Sequence, residues 1–503
     1  MRLTSLRRAG ATILSLRAFS PGALSLGALL LGADPALAQE TAPLRQRVAA
    51  ALATAPAGTR FGLVVAAPDG GELLAINPDD RFIPASNTKI VTTATAFATI
   101  DARDRPDPAG GTGVRLERDR HGAADVVLEG RGDAFLSSAP DCAVDCLATL
   151  ADAVAAQTRV VRDVIGDDGW FPDERWSPGM SWNNIASAYG TGVSALTLDD
   201  NELVAIVTPG AVSAPAQVVM PAYYRIDNRV MTVASGATGI AVDRAPNGTL
   251  LRLTGTIAAG AAPERLRLGI DDPARYAAWM LRTMLVTRGV KVTGVVGVRH
   301  RPLAPADDPA VRKGAPAARP PEPDALARLA RPSLDADLTI INKVSQNLHA
   351  ELMLRRIARI TGSGSIADGQ AAVRRVLAQA GVPRAAFDLS DGSGMSSYNR
   401  IAPRGMVALL RWIAAQPWGA AWQATLPVGG VDGTLARRFG GTALKGKLFA
   451  KTGTLNASAA LSGYLIARSG RTLTFSCYAN DIPGDGNATK AMDAALALIA
   501  AEN

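Results

Sequence analysis

The sequence predicts a mixed α/β (α+β) protein in which a long β-rich insertion separates the two halves of one domain. Three observations predict this. Residues 39–103 and 333–503 alternate strand-like apolar runs with helical spacing, residues 104–332 hold mostly short β-like runs and turns, and stretches rich in Pro lie near both junctions. We therefore expect 39–103 and 333–503 to form one discontinuous domain, a sheet flanked by helices.

The first half of this domain shows three elements in order. Residues 39–60 are rich in Ala with helical spacing. Residues 61–77 predict a hairpin, because two apolar runs flank the turn Pro68-Asp69-Gly70-Gly71. A helix is predicted over 86–100.

The insertion begins after a charged stretch, 101–113, that is rich in Pro and Gly. Its β-like runs are 124–128, 203–207, 217–220 and 292–298. Residues 302–332 contain eight prolines and predict a surface linker that ends the insertion. We expect the insertion, 104–332, to comprise two subdomains.

The second half returns to helices and then strands. The predicted helices are 339–361, 369–380 and 405–415, and the predicted strands are 448–451, 459–467 and 472–479.

The first 38 residues predict a secretory signal. Arg2, Arg7, Arg8 and Arg17 precede a short apolar run, and Ala36-Leu37-Ala38 gives the small-x-small cleavage pattern. An uncleaved anchor is the alternative. Removing four arginines and one aspartate from the net charge of +8 leaves about +5, which is too diffuse for a nucleic-acid partner but suits an anionic cell wall. No later run is long enough to span a bilayer, so we expect at most peripheral membrane association.

The chain has three cysteines. Cys142 and Cys146 are close enough in sequence for a disulfide in an oxidising compartment, with a zinc site as the alternative. Cys477 lies in a strand-like run and is interpreted as a buried, inert thiol.

Several catalytic classes find little support. There are only three histidines and no G-x-S-x-G turn, which disfavours a Ser-His-Asp triad. H-E-x-x-H is missing from the sequence, and G-x-x-x-x-G-K at 441–447 is followed by Leu448 instead of the Ser or Thr of a phosphate-binding loop.

A lysine-based nucleophile fits better. Ser86 and Lys89 are three residues apart at a predicted helix start, which places both on one face. The lysine can act as base if burial or a second cation disfavours its charge. Alone the pattern is weak, and the alternative is that Ser86 only caps the helix.

Two further motifs follow in order. In Ser345-Gln346-Asn347, Ser345 can relay protons and Asn347 can bind a substrate amide. In 451–454, Lys451 supplies a cation, Gly453 allows close backbone approach, and Thr452 and Thr454 supply hydroxyl groups for a carboxylate.

The ordered set S-x-x-K, S-x-N, K-T-G is the signature of penicillin-binding proteins and serine β-lactamases. The chain resembles the D-alanyl-D-alanine carboxypeptidase/endopeptidase family of low-molecular-mass penicillin-binding proteins, in the branch with large inserts after the nucleophile helix. The supporting stretches are 81–89, 130–133, 345–351, 391–396, 426–435 and 451–454. One departure is Arg131, where the family usually has Gly.

The resemblance implies a penicillin-binding, β-lactamase-like transpeptidase fold and a periplasmic enzyme without metal or cofactor. It implies Ser86 as nucleophile, Lys89 and Ser345 as proton-transfer groups, and the backbone N–H groups of Ser86 and Thr454 as oxyanion hole. The implied partners are peptidoglycan stem peptides, and β-lactams as acylating inhibitors. A β-lactamase or related serine esterase is the alternative enzyme, and a wall-binding module with a retained scaffold is the alternative without activity.

Three other features have ordinary structural interpretations beside functional ones. Asp391-Gly392-Ser393 either lines the site or builds a turn. We interpret His349 as a packing or capping residue. We interpret Trp170, Trp176 and Trp182 as part of the core of the insertion rather than a sugar-binding surface.

Overall fold

A five-stranded antiparallel sheet combines two strands from 60–76 with three strands from 448–480. In the computed structural model, which describes residues 43–108, 110–118, 120, 122–317, 323–484 and 486–503, the strand order is β18-β19-β20-β1-β2. The strands are β1 (Arg60–Ala66), β2 (Glu72–Ile76), β18 (Leu448–Leu455), β19 (Ser458–Ile466) and β20 (Thr472–Asn480). The predicted hairpin and the three C-terminal strands are confirmed, and the signal predicted over 1–38 lies outside the described residues.

Helices cover both faces of this sheet, which explains the unbroken apolar run at the end of β1. Leu63 and Val65 of β1 face a core shared with the terminal helices, whereas Val64 packs on the opposite side against Val407. The helices of this half of the fold are α1 (Leu44–Leu52), α2 (Thr88–Thr99), α5 (Leu334–Lys343), α6 (Asn347–Thr361), α7 (Ile366–Gln379), α8 (Pro403–Ala414), α9 (Gly419–Ala424) and α10 (Thr489–Glu502), with the strand pair β16 (Phe387–Asp388) and β17 (Arg400–Ile401).

The single helix predicted over 339–361 is wrong. The chain forms α5 and α6 instead, and the break between them contains Ser345 at φ 65°. This left-handed backbone is costly for a residue with a side chain and cannot continue a helix. The side chain of Gln346 then caps α6 by accepting from the N–H of Leu348 at 3.1 Å.

The insertion holds the remaining elements around its own core. A five-stranded sheet has the order β14-β6-β4-β3-β15, and three smaller sheets have the orders β12-β7-β8, β10-β11-β9 and β13-β5. The elements are β3 (Gly113–Arg118), β4 (Ala124–Glu129), α3 (Leu147–Gln157), β5 (Val160–Val161), β6 (Val164–Pro172), β7 (Glu202–Thr208), β8 (Gln217–Val219), β9 (Arg225–Val233), β10 (Gly239–Asp243), β11 (Leu250–Ala258), β12 (Glu264–Gly269), α4 (Pro273–Thr287), β13 (Lys291–Val292), β14 (Val296–Arg301) and β15 (Ala327–Arg328).

Two helices of the insertion were not predicted. Both α3 and α4 pack into its core, through residues such as Leu150 and Leu281. The start of α4 had a readable signal: Asp272 caps it by accepting from the N–H of Arg275 at 3.0 Å, and Pro273 occupies the first helical position. The run predicted over 292–298 divides into β13 and β14.

The boundaries proposed for the insertion stay a prediction, since Leu44–Asn503 forms one compact unit. The described part of the Pro-rich segment contacts α7, where Arg312 pairs with Asp368 at 2.6 Å. Among the described residues, no helix has the length and apolar character to cross a membrane.

Candidate active site

Ser86 and Lys89 lie together where α2 begins. A short 3₁₀ turn, Ala85–Asn87, precedes the helix, and Lys89 Nζ lies 2.9 Å from Ser86 Oγ. The alternative interpretation of Ser86 is wrong, because Asn87 holds the capping position of α2 and no side chain caps this helix. The hydroxyl of Ser86 is therefore directed at the lysine.

Burial sets the proton affinity of Lys89. Its side chain is fully buried and also contacts Asn347 Oδ1 at 2.7 Å and the carbonyl oxygen of Ser393 at 2.6 Å. Burial lowers the pKa of Lys89 to about 7, against the opposing charges of Asp391 and Glu351. A neutral amine, able to accept the Ser86 proton, is therefore accessible near neutral pH.

Ser345 is paired with the second buried lysine. Lys451 Nζ donates to Ser345 Oγ at 2.8 Å and to the carbonyl oxygen of Thr452 at 2.9 Å. Burial, and secondly the charge of Lys89, holds the pKa of Lys451 well below its usual range. The predicted S-x-N motif thus lies between the two lysines: Ser345 contacts Lys451, and Asn347 contacts Lys89.

The edge strand β18 lies directly against the nucleophile turn. A Cβ added to Gly453 would lie 2.6 Å from the carbonyl oxygen of Pro84, so only glycine fits there. Asn87 Nδ2 also donates to the carbonyl oxygen of Lys451 at 2.7 Å. Gly394 approaches the other side of the turn, where an added Cβ would collide with the carbonyl of Ala85.

These groups surround a cleft of about 710 Å³. Of the residues predicted for the site, Ser86, Ser345, Asn347 and residues 452–454 line it, while Lys89 and Lys451 lie buried behind them. The structure therefore brings the whole predicted set together.

Other lining residues were missed. Thr434, whose hydroxyl lies 2.7 Å from that of Thr452, lines the cleft, and the insertion contributes Tyr189. The carbonyl oxygen of Tyr189 accepts from Asn347 Nδ2 at 3.0 Å. Thr434 belongs to the stretch 426–435 that supported the family resemblance, so the sequence could have indicated it. A backbone carbonyl from a distant segment leaves no such signal in the sequence.

The segment 391–394 does more than build a turn. Asp391 accepts from the N–H groups of Gly394 at 2.9 Å and Ser396 at 2.6 Å, which fixes the loop. Glu351 accepts from the N–H of Ser393 at 2.9 Å, and the carbonyl of Ser393 in turn contacts Lys89. The contact of this loop with Lys89 is made by its backbone.

The remaining candidates lie outside the cleft. Cys142 and Cys146 form a disulfide, which removes the zinc alternative, and Cys477 is a buried free thiol as interpreted. His349 is buried outside the cleft, between the carboxylates of Asp200 and Asp337. Trp182 is 69% exposed, so the interpretation of the tryptophans as core is wrong for this one.

Comparison with known proteins gives consistent matches over nearly the whole chain. A family model described as the D-Ala-D-Ala carboxypeptidase 3 (S13) family matches residues 44–503. The D-alanyl-D-alanine carboxypeptidase of Actinomadura sp. (strain R39) is 35% identical over 499 residues, covering 94% of this chain and 88% of the relative. The D-alanyl-D-alanine carboxypeptidase DacB of Haemophilus influenzae is 23% identical, with 84% and 86% covered.

A solved structure shows the same fold. The crystal structure of penicillin binding protein 4 (dacB) from Haemophilus influenzae matches with a TM-score of 0.75 and 20% sequence identity, covering 89% of this chain and 98% of that one. The predicted fold class, a penicillin-binding α/β fold, is thereby confirmed.

Proposed function

Because the chain belongs to the D-Ala-D-Ala carboxypeptidase 3 (S13) family, we propose that it is an exported serine D,D-peptidase acting on peptidoglycan stem peptides through an acyl-enzyme. Family membership confirms the resemblance inferred from the motifs, and it makes the chain a hydrolase of the penicillin-binding type. The observation that carries the proposal is the buried Lys89 amine 2.9 Å from the hydroxyl of Ser86 in the cleft.

In the proposed acylation, neutral Lys89 takes the proton of Ser86 while Oγ attacks the carbonyl carbon between two D-alanines. The two other contacts of the amine, Asn347 Oδ1 and the Ser393 carbonyl, accept its hydrogens and leave its lone pair for Ser86. The backbone N–H groups of Ser86 and Thr454 are assigned to the developing oxyanion, since both residues line the cleft.

The second lysine serves the leaving group. We propose that the hydroxyl of Ser345 donates a proton to the departing nitrogen and receives one from protonated Lys451. In deacylation, water attacks the ester and returns a proton through Ser345 to Lys451, while Ser86 recovers its proton from Lys89. Both lysines then regain their starting states, and protons balance over the cycle.

Lys451 also explains how a free carboxylate is selected. Its ammonium is disfavoured by burial in the unliganded cleft. A substrate carboxylate beside the hydroxyl groups of Thr452 and Thr454 compensates this burial and restores the charge. The same charge would attract the carboxylate of a β-lactam, whose strained amide acylates Ser86 in place of substrate.

The length of the cleft favours substrates larger than a terminal dipeptide. Beyond Thr454 it continues along 455–459 and past the loop before α10. This space would receive the peptide on the leaving side of a cross-link, which supports endopeptidase beside carboxypeptidase activity. The test is incubation with a stem pentapeptide and with a cross-linked dimer: the proposal expects release of D-alanine and of monomers, and no hydrolysis of either would refute it.

A β-lactamase remains the alternative, and the acids near Lys89 argue against it. A free carboxylate that activates water would favour fast release of the acyl group, whereas Glu351 and Asp391 are engaged by backbone N–H groups. We expect a long-lived β-lactam adduct. The non-catalytic module is disfavoured by the assembled lysine and serine pairs.

Export to the periplasm, with cleavage near Ala38, is part of the proposal. It rests on the predicted signal over 1–38 and on relatives named as carboxypeptidases for D-alanyl-D-alanine. The partners proposed are peptidoglycan and β-lactams, without nucleic acid and with at most peripheral membrane contact.

The rate of acylation should rise with pH through about 7. Lys89 is a base only when neutral, and burial lowers its pKa to about 7, so the active form accumulates above that pH. The measurement is the second-order rate constant for acylation by a chromogenic cephalosporin between pH 5 and 8.5. A rate that stays constant across this range would contradict a neutral-lysine base.

Thr452→Val should weaken turnover of free-acid substrates by about 1–3 kcal/mol, roughly 5- to 150-fold, because it deletes a hydroxyl while keeping the side-chain shape. Both KM and kcat should change, since the carboxylate is held in the bound ground state as well. Peptides ending in D-Ala-D-Ala are compared as free acid and as amide. Thr472→Val, at an exposed position, is the matched control.

The amidated peptide shows whether Thr452 binds the substrate carboxylate or only shapes β18. If Thr452 reads the carboxylate, most of the penalty should vanish on the amidated peptide. An equal penalty on both peptides would mean that the hydroxyl only shapes β18 through its contact with Thr434.

A further inference from the structure

A left-handed turn of the insertion lies against the start of α6. Asp199, Asp200 and Asn201 have φ values of 50°, 56° and 51°, a conformation that side chains disfavour. Other groups hold the turn: Asn201 Nδ2 donates to the carbonyl of Gly192 at 2.9 Å, and Asp199 accepts from the N–H of Ser138 at 2.8 Å. The backbone position of Asp200 is therefore determined by its surroundings.

The carboxylate of Asp200 contacts the S-x-N motif. Its Oδ2 accepts from Gln346 Nε2 at 3.2 Å, and its Oδ1 accepts from His349 Nε2 at 2.8 Å. Gln346 uses its other amide atom, Oε1, to cap α6. One carboxylate of the insertion thus holds both the residue between Ser345 and Asn347 and the first turn of the helix that follows.

His349 connects this contact to α5. Its Nδ1 lies 2.7 Å from Asp337 Oδ1, so both ring nitrogens face carboxylates and only the imidazolium can donate to both. Burial lowers the pKa of His349, but Asp337 and Asp200 raise it to about 9. Arg356 pairs with the other oxygen of Asp337, and the ring of Phe135 packs edge-on against the imidazole.

We propose that Asp200 is a positioning residue through which the insertion holds the S-x-N turn for catalysis, with the His349 imidazolium completing the connection. The inference rests on the proposed function. Ser345 has a strained backbone, and Asn347 places Lys89 through a 2.7 Å contact. Without Asp200, the side chain of Gln346 loses its hydrogen bond to the insertion. Ser345 and Asn347, which contact Lys451 and Lys89, are then held less firmly in place.

The pH profile of the acylation rate should then fall at alkaline pH, in addition to the fall at acid pH that Lys89 causes. When His349 loses its proton, near pH 9, it can no longer donate to both carboxylates, so the support weakens and the rate falls as pH rises. Asp200→Asn removes one of the two charges that favour the imidazolium. We expect its alkaline limb at lower pH, its acid limb unchanged, and a maximum rate about tenfold lower.

The experiment is the acylation rate constant for a chromogenic cephalosporin between pH 5 and 10.5, on wild type, D200N and H349Q. Glutamine has no proton to lose in this range, so H349Q should lack the alkaline limb that D200N moves. Loss of the Lys451 proton gives a separate decline, which neither variant should move. Asp243→Asn, which removes a charge from a largely exposed carboxylate of the insertion, is the control and should match wild type. Histidine NMR provides a direct readout, since the chain has only three histidines.

The outcomes separate the hypotheses. A wild-type profile in folded D200N, or a uniform loss of rate without movement of the alkaline limb, overturns the positioning role. An alkaline limb in H349Q identical to that of wild type also overturns it, and this comparison decides the question if D200N does not fold. Failure of wild type itself to be acylated would instead refute the proposed function.

Discussion

Lys89→Arg should lower the rate of acylation by about 10³-fold or more, because general-base catalysis typically contributes about 10²–10⁴-fold and the larger guanidinium also disturbs the packed site. Arginine keeps the positive charge but cannot become neutral in the working pH range. It can still donate hydrogen bonds, so the variant tests proton acceptance more directly than an alanine would. The measurement is the acylation rate constant with a chromogenic cephalosporin.

The control is Lys447→Arg, the same substitution at an exposed position just before β18, which should retain the wild-type rate. Thermal unfolding must show that K89R is folded, because Lys89 is fully buried. A folded K89R acylated within tenfold of the wild-type rate would show that another base operates. Lys451, acting through Ser345, would be the first candidate.

The catalytic set could be predicted because its chemistry constrains residue types at short spacing. Ser86 and Lys89 must share one helix face, and Gly453 must admit the backbone of the nucleophile turn. Their meeting in one cleft was inferred from the family resemblance, since their separation along the chain carries no geometric information.

The support of this set was harder to predict. A helical pattern runs through Ser345, yet the helix is interrupted there. As a result Ser345 contacts Lys451 and Asn347 contacts Lys89. Tertiary contacts outweigh local propensity at this point, which is frequent at functional sites. The contributions of the insertion, the carbonyl of Tyr189 and the carboxylate of Asp200, come from distant segments and have no local signature.

The fold followed a similar division. Strand β1 contains an unbroken apolar run and β20 alternates polar and apolar residues, so both could be recognised between their turns. Helices α3 and α4 were missed because the surrounding β-like runs dominated the interpretation. The Asp-Pro start of α4 would have indicated one of them.

The causes of the lowered pKa values of Lys89 and Lys451 could not be determined from the sequence. Burying two lysines side by side is unfavourable for their charges, and it is this burial that lowers the pKa of each. The sequence left open whether burial or a second cation would lower the pKa of Lys89. In the structure burial is the main cause at both lysines, and the charge of Lys89 lowers the pKa of Lys451 further.

Ser86 as the acylated nucleophile is the central claim, and mass spectrometry of the β-lactam adduct tests it most directly. The mature protein is incubated with penicillin, digested, and the modified peptide is sequenced. Ser86→Ala removes a hydroxyl whose one described side-chain contact is Lys89, so this variant should fold and bind without reacting. We predict one adduct per chain on Ser86 and none in S86A; an adduct on any other residue, or undiminished labelling of S86A, would contradict the account.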